Sequence, residues 1–130
     1  MKAKHFWLIL SLGALLLTAC SFVMAPPPGD FNISARVSPQ EYVVNGVPRP
    51  ELTLTRGTTY TFSVNASGHP LIITTSPTGG PGAPEDVAGV SGEGAAVGTV
   101  TFTPDDSTLD TVYYQCEVHT GMGNAIHVIG

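Results

Sequence analysis

Basic residues are nearly missing from this chain of 130 residues. It holds 5 Lys+Arg against 10 Asp+Glu, and its only lysines, Lys2 and Lys4, stand in the first four positions. Without a basic stripe to neutralise phosphates it is a poor candidate for binding nucleic acid, and none is expected as a partner. Charge of either sign is sparse. At 12% charged and 42% hydrophobic residues, the chain is too apolar for a disordered acidic or basic tail and apolar enough for a packed core. Cysteine occurs twice, as Cys20 and Cys116, and tryptophan once, as Trp7. Long helices are not expected either, because 15 Gly and 11 Pro cut the chain into short runs. The apolar stretch from Phe6 to Leu17 falls short of the ~20 residues a membrane-spanning helix needs.

What that stretch does match is a signal segment, with Lys2 and Lys4 as its positive start. It ends in Leu17-Thr18-Ala19-Cys20, which resembles the bacterial lipobox. In that motif small residues precede a Cys that receives a lipid and becomes the first residue of the mature chain. A lipoprotein signal peptide is therefore read over residues 1–19, with Cys20 lipidated; an ordinary secretory signal ending in a chance Cys is the alternative. Residues 20–30 read as a tether, because Ala25-Pro26-Pro27-Pro28-Gly29 favours an extended, semi-rigid spacer. The protein is expected to be exported and lipid-anchored to a bacterial membrane. Ser21 rather than Asp follows the Cys, so the outer membrane or cell surface is favoured over inner-membrane retention, with the periplasmic side as an option. Past residue 19 only Arg36, Arg49 and Arg56 oppose all ten acids, a formal charge of −7. Cys116 would then be the one free thiol. A lone thiol in an oxidising compartment needs burial or a bound partner, and a metal is one candidate.

Residues 31–130 read as a single all-β domain. Ile33, Ala35 and Val37 alternate with polar residues, as do Leu52 and Leu54, then Tyr60, Phe62 and Val64, then Val100 and Phe102, the period-2 pattern of half-buried strands. Tyr42-Val43-Val44 runs into Asn45-Gly46, a strong turn signal. Leu71 to Thr75 is β-branched and apolar and reads as a more buried strand. Val112, Tyr114 and Cys116 share one face of a strand, with Tyr113 and Gln115 on the other. Ile126 and Val128 close the domain, and His127 points outward between them. Ser76 to Gly98 breaks the rhythm as a long Gly/Pro/Ala-rich loop, of a kind that is often functional. Within it, Glu85 and Asp86 read as a solvated face. Seven or eight short strands at this spacing predict an antiparallel Greek-key β-sandwich.

Four residues carry chemistry: His69, Cys116, His119 and Met122. Cys116, His119 and Met122 form Cys-x2-His-x2-Met on one turn, and Gly121 and Gly123 let that turn fold tightly. His69 sits before another strand, at a turn that a sandwich can bring to the same end. A thiolate, two imidazoles and a thioether form a soft donor set that suits copper better than zinc. The blander reading of each alone is a core thiol, a packed thioether or a turn histidine.

Two segments are similar to the cupredoxin, or plastocyanin-like, family: Gly68-His69-Pro70-Leu71-Ile72-Ile73, and Tyr113-Tyr114-Gln115-Cys116-Glu117-Val118-His119-Thr120-Gly121-Met122-Gly123. The frame from Asn45-Gly46 to Tyr60-Thr61-Phe62 is similar to exported bacterial members of it. The resemblance covers nearly all of residues 31–130. It implies one mononuclear type 1 copper ion at His69, Cys116 and His119, with Met122 axial, and a one-electron carrier. The chain departs from the family in leaving only two residues between His119 and Met122. That spacing is open to a long sulfur contact, a rotated site, or three strong ligands and an open position.

Three functions compete on this footing. The first is a membrane-tethered copper electron carrier, monomeric, whose redox partner presents a basic face to the acidic domain. The second is a copper store or chaperone, favoured by the short His-x2-Met loop. The third is an interaction module without redox turnover, with the 76–98 loop as its working surface. No enzyme is expected. Gly92 to Gly98 has the wrong spacing for a dinucleotide loop, and Ser91 lacks the second Gly of a nucleophile elbow. The sequons at Asn32 and Asn65 read as chance.

Overall fold

The described residues form ten strands, and the alternating apolar residues of the longer ones meet in one core. The computed structural model describes residues 29–130, so the signal segment, Cys20 and most of the tether lie outside the described residues. The strands are β1 (Asp30–Val37), β2 (Gln40–Val44), β3 (Val47–Pro48), β4 (Leu52–Thr55), β5 (Tyr60–Asn65), β6 (Leu71–Thr74), β7 (Val90–Ser91), β8 (Val97–Phe102), β9 (Thr111–Cys116) and β10 (Asn124–Ile129). They form a six-stranded sheet in the order β3-β2-β1-β5-β8-β7 and a four-stranded sheet in the order β4-β10-β9-β6. The expected all-β sandwich is present. Most pairings are antiparallel, but β1 runs parallel to β5 and β10 parallel to β4. Parallel neighbours need a crossover, and here it comes from the chain switching sheets at β4, β5 and β6.

Phe31, Phe62 and Phe102 of the larger sheet face Leu54, Leu71, Ile73, Val112 and Ile126 of the smaller one in a single buried cluster. The Phe31 and Phe62 rings stack at 5.1 Å between centroids. Each such side chain stabilises the fold by about 1.5–3 kcal/mol on full burial.

Val37 departs from the expected alternation and is 81% exposed. The pairing of β1 with β5 ends at Ser34, so the last residues of β1 run out with β2 as a two-stranded ribbon beyond the core. The 76–98 stretch is not one free loop. It includes β7 and the start of β8, and its residues 93–95 seal the outer edge of β6. There the Leu71 N–H donates to the Ala95 carbonyl (3.0 Å) and the Gly94 N–H to the Leu71 carbonyl (2.8 Å). The Ile73 N–H donates to Glu93 Oε1 (2.9 Å). An open edge strand invites pairing with another chain, and this one is covered. Burial of the Glu93 carboxyl, reinforced by the nearby acids Glu85, Asp86 and Glu117, raises its pKa despite the Ile73 bond. Asp86, read as solvated, is exposed but also anchors the end of β6 by accepting from Thr75 Oγ1 at 2.8 Å.

Candidate metal centre

β5, β6 and β9 bring their ends to one rim of the sandwich. His69 closes the turn after β5, where its N–H donates to the Ala66 carbonyl at 2.8 Å. Cys116 is the last residue of β9 and pairs with Leu71 at the start of β6, two residues beyond His69. The Glu117 N–H then donates to the Pro70 carbonyl at 2.9 Å, which locks the two ligand-bearing segments together. His119 follows in the loop between β9 and β10.

The Nδ1 atoms of His69 and His119 lie 3.1 Å apart, and Cys116 Sγ lies 3.7 Å from His119 Nδ1. One donor atom from each of the three residues falls within 4.8 Å of the other two. Cys116 is fully buried, His69 is 9% exposed and His119 is half-buried. His119 is thus the candidate donor nearest to solvent. Burial lowers the pKa of His69, and the neighbouring His119 lowers it further. Its ring is therefore neutral at neutral pH, with a lone pair free for a cation. Met122 is fully buried in the same core cluster as Cys116.

The loop that carries these residues is tied down along its length. The strap from residue 77 to residue 80 lies against it: the Gly80 N–H donates to the Cys116 carbonyl (2.8 Å), and the Gly121 N–H donates to the Thr78 carbonyl (2.7 Å). Gly121 takes φ +75°, a conformation that side chains resist. Gly123 is required for another reason: a Cβ there would lie 1.6 Å from the Tyr114 carbonyl oxygen. Both glycines tighten the turn as expected, one by conformation and one by close approach.

Two residues at this rim carry no sequence signal for such a role. Gln115 sits on the strand face opposite Cys116 yet is only 1% exposed, because the strap covers it. Its amide donates to the Pro77 carbonyl (3.0 Å) and its Oε1 accepts from the Gly123 N–H (2.9 Å). Tyr42 reaches in from the other sheet, its hydroxyl donating to the His69 carbonyl at 2.8 Å. Burial, and then the Cys116 thiol beside it, push the Tyr42 hydroxyl far above its ordinary range, so it stays protonated. His127 is partly exposed on β10, paired with Glu51 at 3.1 Å, as its outward position predicts. Tyr114 is core, with its hydroxyl on the Pro50 carbonyl at 2.6 Å.

Among solved structures, the copper protein rusticyanin is similar over 76% of this chain and 76% of its own, at 22% identity and a TM-score of 0.56. Reduced rusticyanin is similar over 76% of this chain and 77% of its own, at 24% identity and a TM-score of 0.54. At such identities the likeness is one of fold, and the fold is cupredoxin-like. Among curated proteins none matches the chain in sequence. The family model of the At5g54830-like domain matches residues 32–130.

Proposed function

The chain belongs to the At5g54830-like domain family, and from that premise, its cupredoxin-like fold and its buried donor set, we propose that it is a type 1 copper protein that carries single electrons. The observation that carries this reading is the convergence of His69 Nδ1, Cys116 Sγ and His119 Nδ1 on one point. Two of the three donor pairs are already spaced for one small ion. Bonds of about 2.0 Å to nitrogen and about 2.3 Å to sulfur, at angles of about 100–120°, put two nitrogens about 3.1–3.5 Å apart and sulfur and nitrogen about 3.3–3.7 Å apart. The observed 3.1 Å falls in the first range and 3.7 Å in the second, and the His69–Cys116 pair, within 4.8 Å, would close further on binding.

His69, Cys116 and His119 would hold the copper, with Met122 as a weak fourth donor to a His₂Cys site. Copper supplies a one-electron change between its two oxidation states. The protein's part is to keep the donors still, so that little rearrangement accompanies that change. His119, the most accessible donor, is the natural route to a partner. Arg36 pairs with Glu41, Arg56 with Asp110, and Arg49 Nε donates to the Gly123 carbonyl. All three described arginines are thus engaged within the domain. That leaves an acidic surface suited to a redox partner with a basic face, and association should slow as salt rises. Export and a lipid on Cys20 would confine this exchange to a bacterial membrane surface.

The test is addition of Cu²⁺ to the domain. An intense thiolate-to-copper visible band, lost in Cys116→Ser, supports the reading; no band in the unaltered protein ends it. The His-x2-Met spacing favours a second reading, a copper store. Tight Cu(I) binding with slow electron exchange would support the store, and fast reversible voltammetry at a moderate potential would exclude it.

A further inference from the structure

The donors of the site come from the smaller sheet and its loops, yet one residue of the larger sheet touches both ligand-bearing segments. Tyr42 lies within β2 and is fully buried. Its hydroxyl donates to the His69 carbonyl at 2.8 Å. Its main-chain N–H donates to the Met122 carbonyl, also at 2.8 Å. Its own carbonyl accepts from the Arg49 N–H at 3.0 Å, and Arg49 Nε reaches on to the Gly123 carbonyl at 3.1 Å. His69 and Met122 are far apart in sequence, and Tyr42 sets both against one rigid strand.

We propose that Tyr42 is a positioning residue that preorganises the site: through its hydroxyl and its N–H it holds the His69 turn and the Met122 end of the loop in register with Cys116 before any metal binds. A buried carbonyl with no water to replace a lost donor shifts or stays unpaired, so removing one hydroxyl is enough to slacken the turn. Preorganisation of this kind acts on His69 and Met122 through the backbone, while the same hydroxyl stands beside the Cys116 thiol, and it needs no contact with the ion.

The test is Tyr42→Phe, which keeps the ring and removes only the oxygen. Tyr60→Phe serves as control, because Tyr60 is equally buried and its hydroxyl bonds the Thr55 N–H instead. In the metal-free proteins, alkylation of Cys116 by iodoacetamide is timed under native conditions, alongside global stability. Tyr42→Phe should react about tenfold faster than the unaltered protein, the factor that corresponds to one ordinary hydrogen bond. Tyr60→Phe should not. Equal rates, a rise no larger than the loss of global stability accounts for, or the same rise in the control would overturn the proposal. With Cu²⁺ added, the thiolate-to-copper band and the paramagnetic hyperfine splitting should shift in Tyr42→Phe, and superimposable spectra would overturn it. The copper readouts rest on the type 1 reading above, whereas the thiol readout stands without it. A missing band in the unaltered protein therefore sinks the copper reading and leaves the thiol rates to decide this one. If Tyr42→Phe does not fold, 3-fluorotyrosine at position 42, a stronger donor, must slow the thiol reaction, and an unchanged rate overturns the proposal.

Discussion

The two ends of the sandwich are fastened by different chemistry. At the rim that holds His69, Cys116 and His119, the loops are tied by backbone groups and by the neutral, buried side chains of Gln115 and Tyr42, with one charged tie, from the exposed Arg49 to the Gly123 carbonyl. At the opposite end, Arg56 does the tying. Its Nη1 donates to the carbonyls of Asp105 and Thr108, each at 2.7 Å, and its Nη2 meets Asp110 at 2.6 Å. Asp110 is 92% exposed there. Buried neutral hydrogen bonds feel neither salt nor moderate pH, whereas exposed charge pairs feel both. The end that would hold the ion is thus largely insulated from its medium, Arg49 apart, and the other end is not.

The hardest blow to that contrast is Gly123→Ala. The added methyl has no room beside the Tyr114 carbonyl, so a destabilisation of about 3 kcal/mol or more is expected, at or above the top of the usual overpacking range. Denaturant titration measures it. Gln115→Leu strips partners from the Gly123 N–H and the Pro77 carbonyl and should cost about 2–3 kcal/mol, with a faster Cys116 thiol reaction as its local sign. Arg56→Met removes charged donors at the far end and should cost about 1.5 kcal/mol. It should leave the Cys116 thiol rate unchanged, and a changed rate would break the separation of the two ends.

The smallest effects are in pH, and they have opposite signs. Hydrogen bonds from the Ser107 hydroxyl and N–H lower the pKa of Asp105. The stability this gives is complete above the ordinary Asp range and is lost as pH falls from there through the lowered value. The pKa of Glu93 is raised, chiefly by burial. Its folded form prefers the proton, so stability rises as pH falls through the raised value and levels off below the ordinary Glu range. Asp105→Asn and Glu93→Gln should each flatten one of these slopes in urea midpoints measured against pH.

Most strands were legible because burial on one face writes a period of two into the sequence. Tyr60, Phe62 and Val64 carry it, and all three are buried in β5. The pattern failed at Val37, where alternation continues past the edge of the core. It could not show β3 or β7, which are two residues long, nor the parallel pairings, which depend on which sheet the chain enters next. His69, Cys116 and His119 were legible because few side chains can bind a soft ion, and the structure brings those three together. Tyr42, Gln115 and Glu93 were not. Each acts through one or two bonds to distant backbone groups, and such bonds have no period and no required spacing.

The run from Pro77 to Ala95 is one continuous piece of chain with a fastening at each extremity. One extremity presses on the turn that bears Cys116 and His119, and the other closes the flank of β6. A protease cut in the middle would slacken both. An open flank recruits neighbouring copies, so a molecule damaged there would loosen its His/Cys/His cluster and turn adhesive in the same event.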